Sequence, residues 1–182
     1  MSLMPTSKKP AAKTAKKTAT AAPKSASAAV EGKKAPAFEL LDAGGKTVAL
    51  KDLIGANSLV LYFYPKDMTP GCTVEACSFR DNIAPIKKLG AKVAGISADS
   101  TDSHGKFIAK HELNFPLLAD PGNKVCKLYG VYQMKSLYGR EFMGIVRTTF
   151  IIDKAGIVRK VFPKVKVNGH TEEVIEALKE IA

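Results

Sequence analysis

The sequence contains few cysteines, few glycines and no long apolar run, and each shortage excludes a class of protein. Its three cysteines are too few for a disulfide-stapled scaffold, and its 14 glycines exclude a collagen-like repeat. No apolar run approaches the roughly 18–20 residues that a membrane-spanning helix needs, so no membrane partner is expected. The sequence also lacks a glycine-rich phosphate loop, so nothing in it supports nucleotide binding. What remains is a chain of 182 residues, with room for one domain of ordinary size.

The net charge of +11 is distributed unevenly along the chain. Residues 1–34 contain eight lysines, no arginine and one acid, whereas residues 35–182 carry a net charge of only +4. The first segment has too few large apolar residues to offset the entropy lost on folding. We therefore predict a disordered basic tail over residues 1–34 and one folded domain over residues 35–182. The tail also lacks the apolar stretch of about 7–15 residues that a secretory signal requires.

Two interpretations of the basic tail remain open. Its lysines would support salt-sensitive contact with DNA or another polyanion, without sequence specificity. Alternatively, the tail is a solvated linker that aids solubility. No aromatic side chain alternates with the lysines, so the sequence provides no platform on which bases could stack.

Residues 35–182 alternate between strand and helix patterns, including two apolar runs typical of strands buried on both faces. The predicted strands are 38–41, 47–50, 58–64, 92–97, 116–119, 145–152 and 157–162. The predicted helices are 73–89, 101–111, 124–129 and 171–181. This order predicts an α/β fold with a central mixed sheet flanked by helices and an added N-terminal β-hairpin.

The strongest chemical signal is Cys72, which follows the loop 65–71 at the carboxyl end of a predicted central strand. Active sites favour that edge of an open α/β sheet. In the first turn of the following helix, free N–H groups and the helix dipole would stabilise a thiolate. Thr69 lies just before the helix, where its hydroxyl could hydrogen-bond the sulfur or an incoming oxygen. These features favour a nucleophilic cysteine over the alternative, a buried structural one.

Cys77 lies five positions after Cys72, a spacing that differs from the C-x-x-C redox motif. On an intact helix their Cα atoms would lie roughly 8.6 Å apart, whereas a disulfide tolerates about 7 Å at most. The two cysteines can therefore join only after the first helical turns unwind. Neither has a histidine or third cysteine nearby in sequence, so no metal site is expected.

The segment Tyr62–Asp81 closely resembles the peroxiredoxin Q family, whose members are also called bacterioferritin comigratory proteins. The resemblance includes the general peroxiredoxin pattern P-x-x-x-T-x-x-C, a second cysteine five positions later and an arginine in a V-R-T-T-F strand, and it extends over residues 35–182. The matching motif residues are Pro65, Thr69, Cys72, Cys77 and Arg147.

The resemblance implies a thioredoxin-like fold and an antioxidant, thiol-dependent peroxidase that reduces hydrogen peroxide and organic hydroperoxides. Cys72 would be the peroxidatic cysteine, which is oxidised to a sulfenic acid, and Cys77 the resolving cysteine of an intramolecular disulfide. Thr69 and Arg147 would hold the peroxide oxygens and stabilise the thiolate. Pro65 would shield the site from water and shape the loop.

The same resemblance implies that thioredoxin or glutaredoxin reduces the disulfide, and that no metal or organic cofactor is needed. A monomer would suffice, and working dithiols fit a reducing cytoplasmic compartment. Two alternatives from other classes remain. One is a thioredoxin-like oxidoreductase acting on proteins, against which the missing C-x-x-C motif argues. The other is a nucleic-acid-associated protein whose tail is its main functional element.

The remaining polar candidates are given structural roles. Cys126, a third cysteine that the family does not require, is predicted to pack as a small apolar side chain in a short helix. The alternative is that it forms a regulatory or intermolecular disulfide. We expect ordinary surface positions for seven charged or histidine side chains, which are Lys66, Asp67, Glu75, Arg80, His104, His111 and His170. The alternative for Glu75 and Arg80, which lie on the helix of Cys72, is that they help to orient the site.

Overall fold

The computed structural model describes residues 29–182. The predictions for residues 1–28, including disorder and polyanion contact, lie outside this range. The strands are β1 Glu39–Asp42, β2 Thr47–Ala49, β3 Ser58–Phe63, β4 Ala91–Ser97, β5 Leu117–Ala119, β6 Tyr132–Leu137, β7 Arg140–Ile145, β8 Thr148–Ile152 and β9 Val158–Phe162. The helices are α1 Leu50–Leu53, α2 Pro70–Asp81, α3 Ile83–Lys88, α4 Thr101–His111, α5 Lys124–Leu128 and α6 His170–Ile181.

Seven strands form one mixed sheet in the order β2-β1-β5-β4-β3-β8-β9, and β6 and β7 form a separate two-stranded hairpin. Strands β3, β4 and β5 are parallel, whereas β8 and β9 on one side and β1 and β2 on the other are antiparallel to their neighbours. The predicted mixed sheet and the N-terminal hairpin β1–β2 are confirmed. None of the helices between residues 29 and 182 is long and apolar enough to cross a membrane.

The sheet separates two apolar cores, because alternate residues of a strand point to opposite faces. In β3, Leu59, Leu61 and Phe63 pack in one core with side chains from α1 and α5. Val60 and Tyr62 pack in the other core with side chains from α2, α3, α4 and α6. All six residues of β3 are buried, as a continuous apolar run predicts for a strand covered on both faces. The carboxyl end of this rigid central strand leads to Cys72.

The helix predicted over residues 73–89 is two helices. The first, α2, begins earlier, at Pro70, because proline suits the first helical position, where its missing N–H has no partner to lose. The chain leaves the helical conformation at Asn82, and α3 follows. Pro85 explains the break, because its ring would clash with the carbonyl of Asp81 in a continuous helix and it has no N–H to donate there.

The strand predicted over residues 145–152 is also wrong, because β7 ends at Ile145 and β8 begins at Thr148. The β6–β7 hairpin was not predicted from the sequence. Its two-residue loop, Tyr138 and Gly139, has positive φ at both positions, as tight hairpin turns require. A tyrosine rarely adopts that conformation, so the turn signal in the sequence was weak.

The last six residues of the predicted tail, 29–34, pack against the edge strand β9. The N–H of Gly32 donates to the carbonyl of Val158 at 2.8 Å, and the N–H of Val161 donates to Glu31 Oε1 at 2.9 Å. The prediction of disorder is therefore wrong for these six residues. Backbone pairing with the sheet edge supplies the stabilisation that their small and charged side chains lack.

Substituting Gly95 in β4 tests how tightly the core behind the site is packed. A Cβ at Gly95 would lie 2.8 Å from both Tyr62 Cζ and Leu117 Cδ2, two side chains that are fully buried. Gly95→Ala should therefore lower the free energy of unfolding by about 1–3 kcal/mol, measured by urea denaturation. The matched control is Gly105→Ala in α4, where a Cβ meets nothing within 4 Å. The control should be neutral or slightly stabilising, and equal losses for the two variants would contradict the packing argument.

Candidate active site

Cys72 is the third residue of α2, so its predicted position in the first turn of a helix is confirmed. Its side chain is buried, with 1% of the residue exposed. The first turn of a helix leaves its backbone N–H groups without helical partners and carries the positive end of the helix dipole. The sulfur therefore lies where negative charge is stabilised by the backbone and largely shielded from water.

Arg147 brings a fixed positive charge to this sulfur from 75 positions further along the chain. Its Nη2 donates to Cys72 Sγ at 3.2 Å, and its Nη1 donates to Glu75 Oε2. Burial lowers the pKa of Arg147, but the charges of Glu75 and Cys72 outweigh this and raise it above the ordinary value. Arg147 lies between β7 and β8 and not within a strand as predicted, although its predicted proximity to the cysteine is seen.

Gly71 allows this close approach. A Cβ at Gly71 would lie 3.3 Å from Arg147 Nη2, tighter than an ordinary van der Waals contact. A larger residue would push the guanidinium away from the sulfur, so the absence of a side chain here serves the geometry of the site.

Glu75 is a buried partner of Arg147, and the prediction that it is a surface charge is wrong. Only 1% of the residue is exposed, and Oε1 has no hydrogen-bond partner among residues 29–182. Burial raises the pKa of Glu75 to about 7, and the charge of Arg147 only partly opposes this. The spacing was a usable signal, because positions three apart share one helix face, which places Glu75 on the same face as Cys72.

Pro65 and Thr69 flank the site in the loop between β3 and α2. Thr69 immediately precedes α2, as predicted, but its hydroxyl donates to the carbonyl of Lys66 at 2.9 Å. Its proton is thus directed into the loop and not at the sulfur. Pro65 is half-buried directly after Tyr64, and Lys66 is exposed as expected.

Asp67 is also buried, so the prediction of a solvated loop charge is wrong. Its carboxylate accepts hydrogen bonds from Tyr64 Oη at 2.6 Å, Ser103 Oγ at 2.8 Å and His104 Nδ1 at 2.8 Å. Burial raises the pKa of Asp67, but these hydrogen bonds, that of His104 first, outweigh the effect and hold it below the ordinary value. No spacing rule in the sequence identified this loop residue as a partner of α4.

The histidines are less exposed than predicted. His104 and His170 are buried and His111 is half-buried, so the surface prediction is wrong for the first two. His170 Nε2 lies 2.8 Å from Thr149 Oγ1, and burial lowers the pKa of this ring. No group of three or more potential metal-ligating side chains occurs in the part of the chain that the structure covers.

All three cysteines are free. Cys77 is partly exposed in α2, and five positions of helix rotation place it roughly 140° around the axis from Cys72. Cys126 is fully buried in α5, as predicted for a packed side chain. Burial and the neighbouring Asp120 raise its pKa well above the ordinary value, which keeps this thiol protonated and unreactive.

Comparison with known proteins gives a consistent result. Residues 31–161 match the model of the AhpC/TSA family. The chain is 48% identical over 151 residues to Peroxiredoxin Bcp of Bacillus subtilis, which covers 83% of this chain and 96% of the relative. It is 46% identical over 148 residues to Peroxiredoxin Bcp of Escherichia coli K12, covering 81% of this chain and 94% of the relative.

Solved structures agree. One solved structure comes from work on alkyl peroxide reduction by the Xanthomonas campestris bacterioferritin comigratory protein. It superposes with a TM-score of 0.75 at 40% identity and covers 79% of this chain and 91% of that one. Peroxidoxin BcpB from Mycobacterium tuberculosis also gives a TM-score of 0.75, at 35% identity over 84% of this chain and 97% of that one. These matches confirm the thioredoxin-like peroxiredoxin fold predicted from the sequence.

The buried carboxyl group of Glu75 predicts how stability depends on pH. Because its pKa is raised from 4.5 to about 7 in the folded protein, the folded state retains a proton that the unfolded chain releases. This stabilisation is complete below about pH 4.5 and is lost as the pH rises through about 7, a change of about 3 kcal/mol. Glu75→Gln, which cannot ionise, should lose much less stability between these pH values.

Urea unfolding of the reduced protein at several pH values measures the effect. The matched control is Glu172→Gln, at an exposed position of α6, which should keep the wild-type pH dependence. A Glu75→Gln variant with the same pH dependence as wild type would show that Glu75 does not titrate in this range.

Proposed function

The chain belongs to the AhpC/TSA family of peroxiredoxins, and we propose that its peroxide chemistry runs through Cys72 and Cys77. It is a thiol-dependent peroxidase, a class that uses a peroxide substrate and a thiol reductant. The observation that carries the assignment to Cys72 is its 3.2 Å contact with Arg147 Nη2 at the start of α2. Cys126 has no such environment, since an acid and not a base lies beside it.

In the first step, the Cys72 thiolate attacks one oxygen of the hydroperoxide. An S–O bond forms as the O–O bond breaks, so the sulfur becomes a sulfenic acid. The other oxygen takes up a proton and leaves as water or an alcohol. Arg147 is positioned to stabilise the negative charge as it moves from sulfur to the departing oxygen, without rearranging during the reaction.

Pro65 and Thr69 have supporting roles in this proposal. The half-buried ring of Pro65 limits access of water to the sulfur. The Thr69 hydroxyl, which donates to Lys66 here, would rotate to donate to a bound peroxide oxygen, since a hydroxyl turns to suit its partner. The loop therefore holds the substrate oxygens from one side and Arg147 holds them from the other.

In the second step, the Cys77 thiolate attacks the sulfenic sulfur of Cys72. The S–S bond forms as the S–O bond breaks, and the oxygen leaves as water after protonation. The intact α2 holds the two residues too far apart for this reaction, so the first turns of the helix must unwind. The partial exposure of Cys77 supports its role, because an exposed thiol needs little displacement to reach a residue that swings outward.

A dithiol reductant then returns two electrons by thiol–disulfide exchange, and we assign this role to thioredoxin or glutaredoxin. The alkyl peroxide reduction of the Xanthomonas campestris relative supports organic hydroperoxides as substrates beside hydrogen peroxide. Both redox cysteines lie in one helix, so a monomer completes the cycle. A reducing cytoplasm is the compartment in which such a disulfide would be recycled.

A second proposal concerns the basic tail, which we suggest contacts DNA or another polyanion. Residues 1–28 contain six lysines and no acidic residue. This charge supports nonspecific binding to phosphates. Such binding would localise the peroxidase and leave its chemistry unchanged.

Substituting each cysteine separates the two redox steps. Cys72→Ser should lower the rate of hydrogen peroxide consumption at least about 1000-fold, as loss of the nucleophile does. Cys77→Ser should consume one equivalent, keep an oxygen adduct and fail to turn over with thioredoxin. The matched control Cys126→Ala should keep full turnover.

Intact-mass analysis after one equivalent of hydrogen peroxide provides the readout. Wild type should lose two hydrogens, as disulfide formation requires. Oxygen adducts that persist in wild type would refute the role of Cys77. A thioredoxin-like oxidoreductase would instead reduce protein disulfides and leave the peroxide unconsumed.

Gel-shift assays with duplex DNA test the tail. Deletion of residues 1–28 should abolish the shift, as should replacement of its six lysines by glutamine, which keeps the length. The wild-type affinity should fall with salt, with a logarithmic slope of up to about −5 if every lysine meets a phosphate. Peroxide consumption should be the same in all three proteins. Binding that survives both changes would refute the proposal.

A further inference from the structure

Buried or part-buried polar contacts flank the redox segment of α2 on both sides, and the peroxidase chemistry itself uses none of them. On the N-terminal side, the contacts involve Asp67, in the loop before the helix. On the C-terminal side, they involve Ser78 and Arg80, in the last turn of α2. The two cysteines lie between these groups of contacts.

The N-terminal contacts tie Asp67 to three other elements. Besides the bonds from Tyr64, Ser103 and His104 described above, the N–H of Asp67 donates to Asp99 Oδ2 at 2.9 Å. Asp99 Oδ2 also accepts a hydrogen bond from Ser97 Oγ at 2.6 Å. The loop is thereby fixed to the end of β3, the end of β4 and the first turn of α4. We call this group of contacts the Asp67 clamp.

His104 connects the clamp to strand β5. Its Nδ1 lies 2.8 Å from Asp67 Oδ2, and its Nε2 lies 3.2 Å from the carbonyl oxygen of Leu118 in β5. His104 thus lies between the loop that contains Asp67 and strand β5, and its ring is fully buried. The carboxylate of Asp67 is thereby held in one arrangement by three side chains from two parts of the chain.

The C-terminal contacts hold the last turn of α2 against α4 and α6. The hydroxyls of Ser78 and Thr171 lie 2.7 Å apart, and Arg80 Nη1 donates to the carbonyl of His111 at 2.6 Å. The N–H of Asn82 donates to the carbonyl of Ser78 at 3.1 Å. We call this group the Ser78 clamp.

Residues 68–77 make few polar side-chain contacts of their own. Within the described part of the chain, their side-chain hydrogen bonds with other elements are the two that Arg147 donates, to Cys72 Sγ and to Glu75 Oε2. The remaining one, from Thr69 to Lys66, lies within the loop. Apart from the apolar packing of Cys72 and Ala76 in the core, the side chains of this segment are therefore fixed to other elements, within residues 29–182, through Arg147. One of the two Arg147 contacts is to Cys72 Sγ, the sulfur that the proposed function oxidises.

We propose that the Asp67 and Ser78 clamps are fixed ends between which residues 68–77 unwind and refold during the redox cycle. Asp67, His104 and Ser78 are thus positioning residues for the disulfide step. The inference rests on the proposed function, because it takes Cys72 and Cys77 as the pair that joins. Oxidation removes the Cys72 contact with Arg147 and releases the segment. The clamps contain no redox group, so they persist and return the loop to one position when the disulfide is reduced.

Two backbone amides report on the clamps directly. The Asp67 amide donates to Asp99, and the Asn82 amide donates to Ser78. Hydrogen exchange resolved by NMR should be compared between the reduced protein and the protein oxidised with diamide, which forms the disulfide without peroxide. On oxidation, the amides of residues 73–77 should exchange at least about tenfold faster, as local unfolding requires. The Asp67 and Asn82 amides should keep their reduced-state rates.

Variants of each clamp should extend the unwound segment in the oxidised form alone. Ser78→Ala should speed exchange at Asn82, and Asp67→Asn should speed exchange at position 67, each by at least about tenfold. Both should match wild type when reduced, because Arg147 then still holds the segment. A merely structural role would change both redox forms. The matched controls, Ser136→Ala and Asp102→Asn at exposed positions, should change neither.

The outcomes distinguish this inference from the proposed function. If diamide yields no Cys72–Cys77 disulfide, the resolving role of Cys77 fails and this inference fails with it. If the disulfide forms but the Asp67 or Asn82 amide of wild type loses protection, only this inference is overturned. It is also overturned if the clamp variants exchange like wild type when oxidised.

Discussion

The double contact of Arg147 with Cys72 and Glu75 is the interaction on which the rest of the site depends. A guanidinium at the edge of an apolar core needs anionic partners to offset its lost hydration. Glu75 Oε2 and Cys72 Sγ each accept a hydrogen bond from the guanidinium of Arg147. The contact with Glu75 does not involve the sulfur, so it orients the positive charge independently of Cys72. Preorganised charge of this kind avoids rearrangement during the reaction.

The topology of the sheet explains how residues so distant in sequence meet. Strand β8 pairs antiparallel with β3, and Phe63 at the end of β3 lies opposite Thr148 at the start of β8. The residue before Thr148 therefore emerges beside the chain that leads from β3 into α2. Arg147 needs no long loop to reach Cys72, because the pairing register of β3 and β8 places it beside the start of α2. A register slip of one residue would turn the arginine to the other face.

Predictions from the sequence were correct where a local pattern alone determines the structure. The buried β3 run, the α4 helix over residues 101–111 and the helix-start position of Cys72 all followed from local rules and are confirmed. The main errors at the site concern burial of polar side chains. Asp67 and His104 partner each other across 37 positions, and nothing local distinguishes such a pair from two solvated charges. The β6–β7 hairpin was missed because Tyr138 occupies a turn position where glycine or asparagine is usual.

Residues 29–34 cover part of one exposed edge of the seven-stranded sheet. Strand β9 is the last strand on its side of the sheet, and an edge strand offers unpaired N–H and C=O groups to any extended chain nearby. The N–H of Val158 donates to the backbone carbonyl of Lys33, and the N–H of Val161 donates to the carboxylate of Glu31. Two N–H groups of the edge strand are therefore already paired. The short segment thus leaves fewer free backbone groups on this edge for pairing with a strand of another molecule.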